Sequence, residues 1–397
     1  MILTAKQEQG LKIAIQRHKD GEKYTVISGY AGSGKTTLVR FIISALDVDE
    51  SKVCYAAFTG KAAEVLRKKG NRNVCTLHRL LYESIPREAG GFYRKVKPTI
   101  PYTIVVVDEC SMAPKELIDI LLAHKVYVIF LGDPFQLPPI DKNDDNHLLD
   151  HPHIFLDEIM RQAQESDIIR LTMQIRNQEN ISYGNNDTVK ILHHKDLTFG
   201  MYSWADQILT GTNARRAKIN KEMREMLGRG IEPEDGDKVI CTRNYWDPDD
   251  GSFNCGDPLI NGSIGYLNNP QKRKIFLPWF LRKEKEYFDI IQTDIEIPET
   301  QDFYSKLNLD YNMLQNETKS MDWRLEYKLN RMKKQYGDLV PKDFLYAYAI
   351  TVHKAQGSEW DKVLVYEENF PFNKIEHARW LYTAATRAAE KLVILRD

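Results

Sequence analysis

Residues 29–37 read Gly29-Tyr-Ala-Gly-Ser-Gly-Lys-Thr-Thr37, directly after the β-branched run 24–28 and ahead of the amphipathic stretch 35–46. Strand, glycine loop and helix in that order make a phosphate cradle. Gly29, Gly32 and Gly34 let the backbone N–H groups of the loop, Ala31 and Ser33 included, close around phosphate oxygens at the positive end of the following helix. Lys35 is placed to reach the β- and γ-phosphates. Thr36, with Thr37 beside it, presents a hydroxyl to Mg2+. A chance glycine turn before a helix is the alternative, and the complete spacing argues against it.

Working outward, Ile104-Val-Val-Val-Asp-Glu109 is an apolar strand that delivers two carboxylates to the phosphate end of a sheet. Asp108 suits the Mg2+ shell, and Glu109 suits orienting and deprotonating an attacking water. One strand later, Leu131-Gly-Asp-Pro-Phe-Gln-Leu-Pro-Pro139 sets Gln136 where an amide would sense the γ-phosphate. A proline-rich turn is the bland reading of that stretch. Gln7 closes a Thr4-x-x-Gln7 capping box, and the same amide is a candidate for the adenine edge.

The 397 residues exceed what one small core needs, so two to four domains are expected. Net charge is −1, so overall charge gives no argument for nucleic acid, and any such claim must rest on local sites. Cysteines 54, 75, 110, 241 and 255 are scattered without a Cys-x-x-Cys pair, which indicates neither a zinc site nor a disulfide framework. The early charges at Lys6 and Glu8 do not suit a signal peptide, and no apolar run approaches a membrane span. A cytoplasmic, reducing setting is expected.

Strand patterns at 24–28, 52–56, 103–107 and 126–131 alternate with helical patterns at 35–46, 60–69 and 114–124. Strands alternating with helices predict an α/β fold with a parallel sheet over residues 1–150. The interval 82–99, with Gly90-Gly91 at its centre, predicts an inserted β-hairpin. A second α/β pattern starts near 151, with helices at 167–177 and 213–227 and a strand at 207–210. It breaks off, and returns with strands at 344–350, 362–366 and 391–395 and a helix at 375–386. The domains are therefore 1–150, 151–234 joined to 344–397, and an inserted 235–343. The tryptophans of the insert, Trp246, Trp279 and Trp323, are expected mostly in its core. The basic stretch 319–334 suits a solvated helix face as well as a DNA or partner surface.

Taken in order, Leu3-Thr-Ala-Lys-Gln7, the glycine loop, Phe58-Thr-Gly-Lys61, Thr76-Leu-His78, Asp108-Glu109, Gly132-Asp-Pro-Phe-Gln136, Thr351-Val-His-Lys-Ala-Gln-Gly-Ser-Glu359 and Tyr382-Thr-Ala-Ala-Thr-Arg387 resemble the motifs of superfamily 1 helicases. The variants look most like the RecD-like branch and its phage Dda-type members. The resemblance covers most of the chain and is thin over 270–343. It implies two RecA-like P-loop domains. Residues 236–244 and 260–265 look like the SH3-like insert of that branch. It also implies ATP and Mg2+ as cofactors, single-stranded DNA and single-strand/duplex junctions as partners, and 5′-to-3′ movement by a monomer in replication or recombination, with other proteins of those processes as possible partners and no membrane.

On the same resemblance, Arg161 and Arg387 are arginine fingers that reach the γ-phosphate when a cleft closes. Gly357 and Glu359 match the motif that meets phosphate and ribose. Phe58, Thr59, Lys61, Thr76 and His78 from the first domain, and Thr351, His353 and Lys354 from the second, match positions that face single-stranded DNA. Capping or surface solvation is the bland alternative for each. Phe58 stands where the nearest relatives often have proline. The 82–99 hairpin looks like a strand-separating pin, with Phe92 and Tyr93 to stack at the junction. A DNA-stimulated translocase that strips proteins without separating strands is the second reading, and a P-loop kinase or binding module is the third.

Overall fold

The computed structural model describes residues 3–86, 92–138, 146–160, 165–245, 259–282, 286–298, 302–336, 338–369 and 373–397. They group into two compact units: Met1–Leu81 with Val96–Arg216 and Ile350–Asp397, and Tyr82–Lys95 with Ala217–Ala349.

The first unit contains two six-stranded sheets. One runs Val74–Thr76, Val53–Ala57, Ile104–Val107, Tyr127–Gly132, Tyr24–Gly29 and Ile154–Leu156, with every pairing parallel. The central strands are buried at almost every residue, because helices cover both faces, and this is why they read as unbroken apolar runs. The order places the C-terminal ends of the Tyr24, Ile104 and Tyr127 strands side by side. Gly29, Asp108 and Asp133 therefore converge where an open parallel sheet binds its ligand. Val74–Thr76 and Ile154–Leu156 have only three residues each, too few for an alternation that sequence reading detects.

The second sheet runs Ala349–Thr351, Gln207–Thr210, Trp360–Tyr366, Ala388–Arg396, Val189–His193 and Gly184–Asn185. Its interior pairings are parallel and the last edge is antiparallel. The single strand expected over 344–350 is two strands in two different sheets. Phe344–Tyr346 pairs antiparallel with Lys238–Cys241 in the insert, and Ala349–Thr351 joins this sheet. The break falls at Ala347 and Tyr348: the Ala347 N–H donates to the Lys238 carbonyl, and the Tyr348 hydroxyl donates to Asp237 at 2.8 Å.

In the second unit, Asp302–Asp310, Tyr287–Ile297, Ile264–Phe276, Lys238–Cys241 and Phe344–Tyr346 form an antiparallel sheet in that order. Register shifts put an extra residue between Asn268 and Gln271 in the Ile264–Phe276 strand, and between Tyr304 and Leu307 in the Asp302–Asp310 strand. Val239, Leu267, Ile295, Tyr304 and Phe344 form one core. A smaller cluster of Leu277, Phe288, Met321, Leu329 and Val340 lies at the far end of the long strands. Tyr82–Pro86 and Phe92–Val96 pair in a two-stranded sheet, and the turn between them lies outside the described residues. The tryptophan expectation is corrected: Trp279 is 80% exposed and Trp323 is 72% exposed, while Leu277, Phe288, Met321, Leu329 and Val340 make up the satellite cluster. Trp246 lies outside the described residues.

Candidate nucleotide site and nucleic-acid track

The glycine loop forms as its sequence predicts. Gly34 has φ +80°, and a Cβ there would come 2.5 Å from the Gln7 amide nitrogen, so only glycine fits. The helix Lys35–Ala45 follows with no side-chain cap, leaving its first N–H groups for a ligand. Lys35 Nζ donates to the carbonyls of Gly29 (2.6 Å) and Tyr30 (3.1 Å). Ser33 Oγ is buried without a partner among the described residues. An orphaned hydroxyl and an ammonium folded onto carbonyls are what a triphosphate would recruit, so the loop fits the nucleotide that the sequence implies.

A cavity of ≈ 440 Å³ opens on this loop. Ala31, Gly32, Ser33, Gly34, Lys35, Thr36, Thr37, Asp108, Glu109 and Gln136 line it from the first lobe, and Gly357, Glu359 and Arg387 from the second. Gly29 and Gln7 lie just behind the loop. A larger hollow, ≈ 790 Å³, lies in the second unit between Lys218, Arg224, Ile231 and Tyr346, and it has no glycine loop.

Burial, and then the neighbouring charge of Glu109, push the Asp108 carboxyl above its ordinary range, against the pull of Lys69 and Lys35. A cation at this point would relieve that strain, so Asp108 and Thr36 fit a Mg2+ site. Glu109 takes a left-handed backbone at φ +50°, uncommon for a side-chain-bearing residue, which turns its carboxylate into the cavity. Gln136 stands between Glu109 and Arg387. With its amide nitrogen toward Glu109 Oε2 at 3.3 Å, its oxygen accepts from Arg387 Nη2 at 3.1 Å. Arg387 is buried, 3.7 Å from Glu109 Oε1, and its other donors meet the carbonyls of Thr383 and Ser358. Gly357 has φ +72° and packs against Ala62 and Thr59, while Glu359 pairs with Lys69 at 3.5 Å. Arg161 lies outside the described residues.

Gln7 makes both halves of the capping box: Thr4 N–H donates to its Oε1 at 3.1 Å, and its own N–H donates to Thr4 Oγ1 at 3.3 Å. Its Nε2 donates to the Gly34 carbonyl at 3.4 Å, which ties the first helix to the glycine loop.

Sequence reasoning quoted Tyr382 and Asp133 inside motifs without assigning them a role. The Tyr382 hydroxyl donates to Asp133 Oδ2 at 2.6 Å and accepts from the Ala31 N–H at 2.9 Å. Burial, then the Asp133 charge, push this phenol far up. Beside it, Thr383 Oγ1 accepts from the Leu137 N–H at 2.9 Å, and Gln356 Nε2 donates to the Leu137 carbonyl at 2.7 Å. The loop after Gly132 is thus held by the second lobe. No local pattern signals this, because the partners are 219 to 249 residues apart.

The nucleic-acid candidates divide by what occupies them. Thr59 and Thr76 use their hydroxyls on the backbone: Thr59 accepts from the Ala62 N–H and caps Gly60–Lys68, and Thr76 accepts from the Arg79 N–H. Lys61 pairs with buried Glu64 at 3.6 Å and lies over the Trp360 ring at 5.8 Å. His78 is buried with its ring 5.7 Å from Phe58, and Thr351 is buried as well. His353 and Lys354 are half-buried, and burial lowers the His353 imidazole below its ordinary range. Phe92 and Tyr93 lie on a strand of the two-stranded sheet, and their side chains lie outside the described residues.

This arrangement, a glycine loop and paired carboxylates on one parallel sheet completed by a buried arginine from a second, defines a two-lobed P-loop nucleotide site. Residues 3–196 match the model of an AAA domain, and residues 346–395 match a UvrD-like helicase C-terminal domain. The chain is 27% identical to uncharacterized protein R530 of Acanthamoeba polyphaga mimivirus over 99% of both chains. It is 26% identical to the ATP-dependent RecD2 DNA helicase of Deinococcus radiodurans, over 94% of this chain and 46% of that one. It is 29% identical to the ATP-dependent DNA helicase Dda of phage T4, over 36% and 34%. It thus spans less than half of RecD2, and its match to Dda covers about a third of either protein. A Pif1 structure from Bacteroides bound to single-stranded DNA has a TM-score of 0.51 at 17% identity, covering 99% of this chain and 92% of that one, and so shares the fold. By these matches the chain resembles the superfamily 1 helicases of the RecD, Pif1 and Dda type.

Proposed function

We propose that the chain is an ATP-dependent DNA helicase that moves 5′-to-3′ on single-stranded DNA, with the 82–99 hairpin as its strand-separating pin and the insert as an SH3-like accessory domain. The observation that carries the ATPase part is the convergence of Lys35, Asp108, Glu109 and Gln136 with Arg387 around one cavity. The DNA part leans on the resemblance to RecD2 and Dda.

Bound ATP with Mg2+ would supply the scissile phosphoanhydride and the charge that clamps it. Lys35 and the loop N–H groups would hold the phosphates, Asp108 and Thr36 would hold the metal, and Glu109 would accept a proton from water. Arg387 from the second lobe, together with Arg161, would neutralise charge on the phosphoryl group. Gln136 touches both Glu109 and Arg387, so it reports the state of one to the other. Phe58, Thr59, Lys61, Thr76, His78, Thr351, His353 and Lys354 form the track. Where hydroxyls now cap helices, those helix starts offer N–H groups to DNA phosphates.

The test is ATPase activity with and without short single-stranded DNA, alongside unwinding of duplexes with 5′ or 3′ tails. Stimulated turnover and unwinding from the 5′ tail are expected. Turnover indifferent to DNA would sink the motor reading, and unwinding only from a 3′ tail would reverse the polarity.

A further inference from the structure

The helix Trp323–Arg331 is strongly two-faced. Leu325 and Leu329 pack into the small cluster with Leu277 and Phe288. The opposite side carries Trp323 and Tyr327, 72% and 60% exposed, with Arg331 one further turn along. Four-residue spacing keeps all three in one stripe. Arg324 lies 5.4 Å from the Trp323 ring centre and Arg331 lies 5.9 Å from that of Tyr327. Lys328 is exposed between them. Glu326 is the helix's own carboxylate within Trp323–Arg331, and it is engaged by Arg243. The outer face therefore presents two aromatic rings and three cations, while the Asp322 carboxylate is used in capping the helix start. Trp279, 80% exposed on the turn that packs against the same cluster, adds a third ring to this end of the unit.

Large exposed rings are costly on a surface that has no use for them. A protein-binding hot spot and a nucleic-acid platform both use tryptophan, tyrosine and arginine. The excess of cations decides between them: phosphates supply the missing anions, and unpaired bases supply flat faces for the rings whatever their sequence. We propose that the Trp323–Tyr327–Arg331 face is a second contact for single-stranded DNA, separate from the track between the lobes. This rests on the DNA-motor reading above.

The experiment uses the full chain and a fluorescein-labelled oligothymidylate, titrated over a series of salt concentrations. Trp323→Ala with Tyr327→Ala should weaken binding about tenfold or more. Arg324→Gln with Lys328→Gln and Arg331→Gln should lower the slope of log affinity against log salt by about 2, at roughly 0.7 per phosphate contact. Both variants change exposed side chains, and circular dichroism and thermal melting check their fold. Affinity within twofold of wild type and an unchanged slope would overturn the proposal and leave this face to a protein partner. If the wild-type chain itself fails to bind the oligonucleotide, the motor reading falls, and this proposal falls with it.

Discussion

The hydroxyl of Tyr382 lies 2.6 Å from Asp133 Oδ2, and the same oxygen accepts the N–H of Ala31 in the glycine loop. One buried phenol thereby joins the nucleotide loop, the loop that carries Gln136, and the second lobe. Tyr382→Phe leaves a buried carboxylate and a backbone N–H short of a partner, a cost of about 1–3 kcal/mol. Because the two groups act as a pair, adding Asp133→Asn should cost less than the sum of the single changes. A chemical-denaturation cycle on the four proteins measures this, and strictly additive losses would show that the contact carries no coupling.

Lys35→Ala should abolish ATP turnover, with melting temperature close to wild type. The lysine bonds to two loop carbonyls that other donors or water can satisfy. Retained turnover in a steady-state assay would remove Lys35 from its proposed role.

Arg387→Ala should lower ATP turnover by about 10³-fold or more, while ATP binding changes by much less. Single-turnover hydrolysis beside equilibrium binding of a labelled nucleotide separates the two. A loss confined to binding would make Arg387 a ground-state clamp rather than a finger.

Replacing residues 86–97 with a short turn should collapse duplex unwinding and leave single-strand-stimulated ATPase in place. Unwinding at the wild-type rate would eliminate the pin.

Burial alone would raise the Asp338 carboxyl, but Lys342 at 2.7 Å and Lys333 at 3.1 Å hold it down to about 2. A carboxyl depressed in the folded state stabilises above its unfolded value near 3.8, and loses that contribution as pH falls through about 2. The contribution at neutral pH is about 2 kcal/mol. Asp338→Asn removes the carboxylate that two largely buried ammonium groups share and should cost about 2 kcal/mol or more. Denaturation at pH 7 and pH 2.5 tests this: the gap between wild type and variant should narrow in acid, and a constant gap would refute the charge pairing.

The sequence made the first lobe legible because buried parallel strands and a glycine loop are local patterns. Strand edges at Tyr24, Ile104 and Tyr127 fell within a residue of their expected starts. The insert was less legible. Its longest strand, Ile264–Phe276, alternates buried and exposed residues only in part, and its bulge breaks the period. Trp279 and Trp323 were expected inside because size and apolarity suggest a core, yet which face of a short helix is covered depends on what folds against it. The cross-lobe partners of Asp133 and Leu137 were invisible for a different reason: a single sequence does not state which distant hydroxyl or amide meets a given loop.

Leu137 has its N–H held by Thr383 and its carbonyl held by Gln356, both from the other lobe. A residue gripped at both its N–H and its carbonyl cannot slide by degrees, since any small parting would leave two buried polar groups short of a partner. The lobes should therefore behave as a latch at this point, held or released in one step rather than by graded strain.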